Sequence, residues 1–411
     1  MRFRPPLIAI GSAAVVVAGI AGCREVPQAP TQAATPPATH VTVTIDTLQG
    51  YQLDVGNQWG GVKLLLAPDQ SAHVVAFDAW SDRLRYYGCA NFCDEPVHWF
   101  GGTADSVPMY GGSFELGGAG AVLTSLGFQA VYGQALARGI GVGYAQCPGA
   151  CNFTAHWSAS SMLADTAYLE GPFQETAYSV PLAADAAGGL HLIYYDYVDY
   201  SIHYRYCPSA CGAAASWQDV PVTAPSSDFF GTSSRLVAVA PNGAVHLLYG
   251  SSSGLVHAAC LGGCTSAANW QSAPVPGPSG IEALAMTFLT DGTALLAVAD
   301  STGAVTFGTC AGPCTAGAAW SLAALPLKSR DVALATDDSG RVYLATNRGT
   351  VSLSRCTAGC LGPAGWRTDT LRDVPGEGRV SVVVDAAGHA RIASSNGWFG
   401  PQVLQYTRML R

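Results

Sequence analysis

A motif of two cysteines and a tryptophan, C-x3-C-x5-W, occurs six times in this chain of 411 residues. The first cysteines of successive copies are 58, 60, 53, 50 and 46 residues apart. The six copies are Cys89, Cys93 and Trp99; Cys147, Cys151 and Trp157; Cys207, Cys211 and Trp217; Cys260, Cys264 and Trp270; Cys310, Cys314 and Trp320; and Cys356, Cys360 and Trp366. A sequence period near 50 residues is typical of solenoids and propellers.

The residues between the motifs decide between these two architectures. The sixth copy contains four short apolar or alternating runs, "VALAT", "RVYLAT", "TVSLSRC" and "WRTDTL". Turn residues such as "DDSG" and "NRG" separate the first three, which leaves no room for a helix. Four antiparallel strands in each repeat form a β-propeller blade, whereas a β-helix needs shorter, parallel rungs. We therefore predict an all-β propeller.

The number of blades follows from the chain ends. Residues 380–408 supply three further strands after the sixth cysteine motif. The segment "HVTVTIDT", His40–Thr47, can supply the missing fourth strand, because pairing the two chain ends removes the exposed edges of the ring. We predict seven blades of four antiparallel strands over residues 40–411, with the N-terminal strand completing the last blade. Six blades is the alternative.

The N-terminal segment has the features of an export signal. Two arginines precede a fourteen-residue run of apolar and small residues, Leu7 to Ile20. As a helix this run would be roughly 21 Å long, shorter than the bilayer core of about 30 Å. The following "IAGC" resembles a bacterial lipobox, so we predict residues 1–22 as a lipoprotein signal peptide and Cys23 as the lipidated residue. An ordinary signal peptide cleaved nearby is the alternative.

Residues 23–39 are rich in Pro, Ala and Thr, a composition typical of a tether. Cys23 is also the one cysteine outside the six repeated pairs. We expect an exported protein held in the bacterial cell envelope by a lipid anchor, on the outer membrane or cell surface. The membrane is then its first predicted partner.

The paired cysteines can form disulfides or bind zinc. Each loop offers only two thiols, and the six loops lie apart, whereas structural zinc needs four ligands. An exported chain also meets oxidising conditions, so we predict six local disulfides and no metal site. Each would close a loop of about five residues and contribute about 2 kcal/mol. We expect the tryptophan to cover apolar surface between blades, with sugar stacking as the alternative.

Charge and motif searches exclude several function classes. Only 12% of the residues are charged, the net charge is −8, and basic residues form no cluster in the sequence. Binding to nucleic acid relies on neutralising phosphates, so we predict no nucleic-acid partner. No G-x-S-x-G, H-E-x-x-H or phosphate-loop motif occurs, and we predict no cofactor. Three histidines at one repeat position are expected to make hydrogen bonds rather than bind metal: His73, His191 and His246.

A second repeated pattern joins an Asp- or Asn-containing turn to a histidine and then an aromatic residue. It reads "DAAGGLHLIYYD" at Asp185–Asp196, and "PNGAVHLLYG" and "PDQSAHVVAFD" elsewhere. The pattern resembles bacterial cell-surface propellers with BNR-like or sialidase-like repeats, over most of residues 41–411. This resemblance implies a propeller that is either a binding module or a glycosidase.

The longest repeats indicate where a function could lie. Their extra residues fall in loops between blades, which alternation of strand direction places on one face, the inter-blade face. The cysteine loops lie on the opposite, cysteine-loop face, which we expect to take no part in ligand binding. Aromatic side chains give a large contact area at small entropic cost. The predicted ligand-binding residues are Trp80, Tyr110, Phe114, Tyr168, Phe173, Tyr197, Tyr200, Phe229 and Phe230.

We therefore predict a binding or scaffold propeller for carbohydrate, peptide or protein. The alternative is a sialidase-like glycoside hydrolase acting on extracellular glycans. Its signature would be a pair of carboxylates less than about 10 Å apart in a deep pocket. The sequence identifies no catalytic residue.

Overall fold

The computed structural model describes most of the chain after the predicted tether. The described residues are 40–48, 59–78, 83–106, 119–136, 139–164, 180–196, 199–226, 235–277, 279–312, 314, 319–376, 378–395 and 402–410. Among them, no helix is both long and apolar enough to cross a membrane.

The described chain forms seven antiparallel sheets, one for each blade. The first strand, β1 (His40–Leu48), belongs to the last blade. Blades 1 to 3 are β2 (Trp59–Leu66), β3 (Ala72–Asp78), β4 (Arg83–Cys89) and β5 (Phe100–Ser106); β6 (Ala119–Thr124), β7 (Gly127–Leu136), β8 (Gly139–Cys147) and β9 (Ser158–Ala164); and β10 (Leu182–Ala184), β11 (Leu190–Asp196), β12 (Ser201–Cys207) and β13 (Gln218–Pro221).

Blades 4 to 7 repeat the same order of strands. They are β14 (Arg235–Val239), β15 (Val245–Ser251), β16 (Gly254–Cys260) and β17 (Gln271–Val275); β18 (Ile281–Phe288), β19 (Ala294–Asp300), β20 (Ala304–Cys310) and β21 (Ser321–Lys328); β22 (Asp331–Thr336), β23 (Val342–Cys356) and β24 (Trp366–Gly376); and β25 (Val380–Val384), β26 (Ala390–Ser395), β27 (Gln402–Met409) and β1. Strand β23 serves as both middle strands of blade 6, because its first part pairs with β22 and its second part with β24.

The ring is closed by the N-terminal strand. Strand β1 pairs antiparallel with β27, from His40 opposite Met409 to Leu48 opposite Gln402. The innermost strands β2, β6, β10, β14, β18, β22 and β25 contact one another in an unbroken circle. The structure therefore confirms the seven-bladed propeller and its closure, and the six-bladed alternative is wrong.

The hydrophobic core lies between neighbouring blades. One cluster joins Leu64 and Val74 of blade 1 to Leu404 and Tyr406 of blade 7, and all four side chains are buried. Both faces of each sheet are covered by its neighbours, which explains the almost continuous apolar runs in the inner strands.

The cysteine loops all contain a disulfide of the same geometry. Each bond joins residues four apart, with a Cα–Cα distance of 5.6–5.7 Å. The bonds join Cys89 to Cys93, Cys147 to Cys151, Cys207 to Cys211, Cys260 to Cys264, Cys310 to Cys314, and Cys356 to Cys360. All twelve cysteines are therefore paired as predicted, and the six disulfides indicate an exported protein.

A short 3-10 turn follows the disulfide in five of the cysteine loops. These turns are Pro96–His98, Thr154–His156, Ala214–Ser216, Ala267–Asn269 and Pro363–Gly365. Each turn ends directly before the tryptophan of its motif. The turn thus sets the position from which that tryptophan reaches the neighbouring blade.

The tryptophan of each motif has a structural role. Trp99 packs on Tyr406 of the preceding blade at a ring distance of 5.0 Å, and Trp270 packs on Tyr204 at 4.9 Å. The indole N–H also donates to the carbonyl of the second cysteine, as from Trp99 to Cys93 at 3.0 Å. Trp157, Trp217, Trp270 and Trp366 donate in the same way, to Cys151, Cys211, Cys264 and Cys360. The prediction that the tryptophans cover apolar surface between blades is confirmed.

The two ends of the ring differ in their connections. All inner strands start at one end, where the chain passes from blade to blade, and the turns between second and third strands lie there too. The cysteine loops join the third and fourth strands, and so lie at the opposite end. The two predicted faces follow directly from this antiparallel order.

Candidate functional site

A cavity of about 250 Å³ lies on the axis of the ring, enclosed by the seven inner strands. Small and aliphatic residues make up most of its wall. In blades 2 and 3 the lining is entirely of this kind: Ala119, Gly120, Ala121, Val180, Pro181 and Leu182. A channel with such walls offers few polar groups, so any charge on its lining stands out.

Five charged residues also line this cavity, one from each of five consecutive blades. They lie at or near the start of the inner strands, which is the inter-blade end of the channel. We call them the charged arc: Arg235 (blade 4), Glu282 (blade 5), Asp331 (blade 6), Arg379 (blade 7) and Lys63 (blade 1). The mouth of the channel is therefore charged on one side and apolar on the other.

Asp331 and Arg379 form the centre of the arc. Nη1 of Arg379 lies 3.6 Å from Oδ1 of Asp331, and Oδ2 accepts a hydrogen bond from the backbone N–H of Val380 at 2.7 Å. Burial raises the pKa of Asp331, although Arg379 and the backbone N–H groups oppose that rise. The pair joins blades 6 and 7 and fixes the position of the guanidinium at the mouth.

Glu282 and Lys63 face the water of the channel but are enclosed by its protein walls. This partial desolvation raises the pKa of Glu282, against the attraction of nearby arginines, and the charge of Asp331 raises it further. Desolvation likewise lowers the pKa of Lys63. Both side chains have therefore lost part of their hydration. A ligand group of opposite charge would compensate for the lost contacts with water.

The charge around this mouth is positive overall. Glu282 is influenced by Arg330 and Arg348 as well as by Arg379. Of the five charges that line the cavity, Lys63, Arg235 and Arg379 are cations and Glu282 and Asp331 are carboxylates, so the balance of the lining is 3 − 2 = +1. The whole chain has a net charge of −8, so this end of the channel is a local site of attraction for anions.

A second polar cluster lies on the inter-blade face of blade 3. His203 is hydrogen-bonded through Nε2 to Asp199 (2.8 Å) and through Nδ1 to Asp219 (2.9 Å). Oδ2 of Asp196 is 4.0 Å from Nε2. Burial acts to lower the pKa of His203, but the two hydrogen-bonded carboxylates outweigh it and raise the pKa.

Asp196, Asp199 and His203 are residue types that bind metals, and their polar atoms lie within 4.8 Å of one another. Their hydrogen bonds already serve a structural purpose, because they brace the turn between β11 and β12. The sequence predicted no metal site, and that remains a prediction.

Of the nine predicted ligand-binding aromatics, Tyr200 is the one among the described residues. It lies in the turn between β11 and β12 on the inter-blade face, as expected, and its side chain is 50% exposed. The other eight lie outside the described residues: Trp80, Tyr110, Phe114, Tyr168, Phe173, Tyr197, Phe229 and Phe230. Cys23 also lies outside them. Their roles stay predictions.

The repeated histidines make local hydrogen bonds, as predicted. Nδ1 of His73 bonds to Tyr86 (2.6 Å), and Nδ1 of His191 bonds to Tyr204 (2.7 Å). His246 instead pairs with a second histidine, His257, at 3.0 Å. These contacts join the second and third strands of a blade, so the histidines belong to the framework.

The charged arc was missed by the sequence analysis, although the sequence contains a signal for it. A charged residue lies in or next to the apolar inner-strand segment in "VKLLL", "RLVAV", "IEALAM", "DVALAT" and "RVSVVV". The signal is a charge in or beside an otherwise apolar strand, but it does not recur at one repeat position, so it does not show that the five side chains meet at one cavity.

Fold and disulfides together define a seven-bladed β-propeller with a cysteine staple in six of its blades. No protein-family model matches the chain, and no curated protein matches it either. The chain resembles the solved structure of hydrazine synthase from Kuenenia stuttgartiensis at a TM-score of 0.51 and 10% identity, over 87% of this chain and 98% of that chain. It resembles an α-L-arabinanase from Penicillium chrysogenum complexed with arabinobiose at a TM-score of 0.50 and 12% identity, over 91% of this chain and 98% of that chain. It also resembles the α-L-arabinofuranosidase Arb93A from Fusarium graminearum at a TM-score of 0.50 and 10% identity, over 90% of this chain and 98% of that chain. At such low identities the likeness establishes the propeller fold alone.

Proposed function

We propose that this chain is an envelope lipoprotein, anchored through Cys23, whose propeller binds an acidic carbohydrate at the inter-blade mouth of its channel. The observation that carries the proposal is the excess of cations around that mouth in an otherwise acidic protein. Arginine and lysine form strong charge-assisted hydrogen bonds with carboxylates, and Glu282 and Asp331 can accept hydrogen bonds from sugar hydroxyls.

The predicted aromatic loops suit the same ligand class. Sugar rings present apolar faces that stack on aromatic side chains, and the nine aromatics predicted for this face would supply them. Tyr200 is exposed in the position that this role requires. A charged arc for the carboxylate and aromatic loops for the ring faces would together select an acidic glycan over a neutral one.

The anchor is supported by the cysteine count. Twelve of the thirteen cysteines form the six disulfides, and these indicate an oxidising compartment. Cys23 follows a short apolar run at a lipobox-like sequence. The mass of the N-terminal peptide of the exported wild-type chain should show acylation of Cys23, and Cys23→Ser should replace stable anchoring by weak, reversible membrane binding at most. An unmodified Cys23 in the exported wild-type chain would refute the anchor.

The ligand proposal is tested by titrating the protein with an oligouronate and with the same oligomer after its carboxyl groups are reduced. Lys63→Met should weaken binding of the acidic oligomer about tenfold, because it removes one charge-assisted contact. Binding of the reduced oligomer should not change.

Arg367→Gln is the matched control, since Arg367 is exposed on the outer strand of blade 6. Equal affinity for the acidic and reduced oligomers would refute the proposal, as would an equal loss in the control variant.

A glycoside hydrolase is the second candidate, because one cavity contains two carboxylates whose pKa values are raised. A carboxylic acid that stays protonated near neutral pH can act as the general acid in glycoside cleavage. The fold favours neither candidate, since the hydrazine synthase shares it with the two arabinose-specific enzymes. Glycan turnover that is abolished by Glu282→Gln or Asp331→Asn, with binding retained, would establish the enzyme.

A further inference from the structure

Within the part of the chain that the structure describes, most of the exposed large apolar side chains lie at the cysteine-loop end of the ring. Among the described residues, nine such side chains are exposed, and Tyr200 alone lies on the inter-blade face. The other eight are Phe92, Val97, Phe100, Leu126, Phe153, Leu261, Leu361 and Leu410. Single exposed apolar residues are ordinary, but a group of them on one rim indicates a contact surface.

Four of these side chains lie close together in the chain segments of the cysteine-loop end of blades 1 and 2. Phe92 and Val97 are each 73% exposed, Phe153 is 58% exposed and Phe100 is 57% exposed. Solvation of these apolar surfaces is unfavourable, and nothing in the packing of the blades needs them. We call these four residues the apolar rim.

Contacts between the two blades make the rim continuous. The outer strand β5, which begins at Phe100, contacts the 3-10 turn Thr154–His156 that follows Phe153. A Cβ at Gly102 would lie only 2.8 Å from the carbonyl oxygen of Asn152, so the cysteine loop of blade 2 rests directly on β5. The side chains of Phe100 and Phe153 therefore belong to neighbouring parts of one surface.

The rim adjoins the point where the predicted tether meets the propeller. Strand β1 begins at His40, opposite Met409, and therefore at the cysteine-loop end. The turn Pro96–His98 of blade 1 contacts β1, and Arg408 lies 3.4 Å from Asp94 in the same loop. Phe92 in turn packs on His98 at a ring distance of 5.5 Å. The apolar rim is thus next to the site at which residues 23–39 join the fold.

The charges near the rim include no excess of cations. Asp94 pairs with Arg408, and the exposed Glu95 lies 3.4 Å from His98. The rim therefore offers no cluster of cations that would select anionic lipids. Its chemistry suits the interface of a zwitterionic bilayer, where apolar side chains insert between lipid headgroups.

We propose that the apolar rim inserts into the bilayer interface and sets the orientation of the anchored propeller. This inference rests on the anchor proposed above. The propeller begins at His40, beside the rim, so a lipid anchor at Cys23 would leave the cysteine-loop end of blades 1 and 7 nearest to the lipid. An anchor through the tether alone does not fix the orientation of the propeller, and a second apolar contact would fix it. The channel mouth, at the opposite end of the ring, then faces away from the membrane.

The test uses the chain with Cys23→Ser and without residues 1–22, which removes the apolar run Leu7–Ile20 and keeps every described strand, so that only the propeller can hold the protein to lipid. Its binding to phosphatidylcholine vesicles is measured by cosedimentation at millimolar lipid concentrations. Phe92→Ser/Phe100→Ser/Phe153→Ser should weaken this binding at least about tenfold, since three apolar insertions are lost. High salt should not release the protein. The control is Leu261→Ser/Leu361→Ser, which changes exposed leucines in the cysteine loops of blades 4 and 6.

The outcomes are distinct. An unchanged melting temperature confirms that the serine variants fold, which is expected because the replaced side chains are exposed. The rim is refuted if the Cys23→Ser chain does not bind vesicles, or if the control variant loses as much binding as the rim variant. The mass of the N-terminal peptide of the wild-type chain reports acylation separately, so failure of the anchor and failure of the rim can be told apart.

Discussion

The two ends of this propeller differ in how closely their blades resemble one another. At the cysteine-loop end, six blades repeat one arrangement of disulfide and tryptophan, and in five of them the indole donates to the second cysteine's carbonyl. At the inter-blade end, Lys63, Arg235, Glu282, Asp331 and Arg379 lie near the starts of five inner strands at differing distances from the following turn, and blades 2 and 3 have small or apolar residues there. Repetition indicates a structural role, and departure from it indicates a functional one.

Substitutions at the two ends of the ring should have different effects. A change at the cysteine-loop end should alter the free energy of unfolding and leave ligand affinity unchanged, apart from the rim's effect on lipid. A change in the charged arc should alter ligand affinity with little effect on unfolding. Loss of the closing strand, which runs between both ends, should affect both.

Deletion of residues 41–47 should have the largest effect. It removes β1 and exposes the edge of β27, so the free energy of unfolding should fall by several kcal/mol. Deletion of residues 24–38 should leave it unchanged, because those residues precede the first paired strand. Chemical denaturation of both variants measures the difference, and equal effects would argue against closure by the N-terminal strand.

Acid should destabilise the cysteine-loop end through a pair of neutral histidines. His246 contacts His257, which donates through Nδ1 to the carbonyl of Cys314 at 2.7 Å. Burial lowers the pKa of His246 to about 3 and that of His257 to about 4.

Since both pKa values lie below that of an unfolded histidine, about 6.5, the unfolded chain binds more protons between these values. Stability should therefore be highest above pH 6.5 and should fall by a few kcal/mol as the pH decreases toward 4 and below. Unfolding curves recorded across this pH range measure the decrease in stability. His246→Gln/His257→Gln should reduce the dependence, leaving the part due to His73 and His191, whose pKa values burial also lowers. His156→Gln, at an exposed site, should not reduce it, and a double variant with the full wild-type slope would contradict this account.

Removing one disulfide should have an intermediate effect. Cys207→Ser/Cys211→Ser should lower the free energy of unfolding by about 2 kcal/mol, the expected contribution of so short a loop. Affinity for an acidic oligosaccharide should not change, because this loop is at the other end of the ring. Cys23→Ser is the control, because it should alter neither the free energy of unfolding nor the ligand affinity. A loss of ligand affinity on removing the disulfide would contradict the separate roles of the two ends.

Glu282→Gln should have the smallest effect. It removes a negative charge from the mouth, so affinity for an acidic oligosaccharide should rise a few-fold at neutral pH while the melting temperature stays constant. In the wild type the same affinity should rise as the pH falls toward the raised pKa of Glu282, until the ligand itself becomes protonated. Calorimetric titrations at several pH values measure both, and a variant that retains the full pH dependence would show that Glu282 is not responsible.

Much of the fold could be predicted because the same sequence repeat, which specifies one blade, occurs six times in the chain. The C-x3-C-x5-W motif specified the disulfides, the tryptophan contacts and the four-stranded blade. Closure followed from one further argument, that a seventh blade lacking a strand needs the segment beginning at His40. Local sequence and ring geometry agree here, so the prediction was robust.

The charged arc could not be found in the same way. Its members lie in five different blades, successive members are 47 to 172 residues apart along the chain, and only the closed ring brings them around one cavity. The raised pKa of Asp331 depends on walls contributed by other blades. Cavity shape and desolvation are properties of the assembled ring, which a single repeat does not contain.

The division between the two ends is tested most directly by hydrogen exchange of the full chain with and without a bound oligouronate. We predict slower exchange at the starts of the inner strands, in residues 235–237, 281–284, 331–333 and 380–382, and unchanged exchange in the cysteine loops. Slower exchange confined to the cysteine loops, with the inner strands unaffected, would contradict the account.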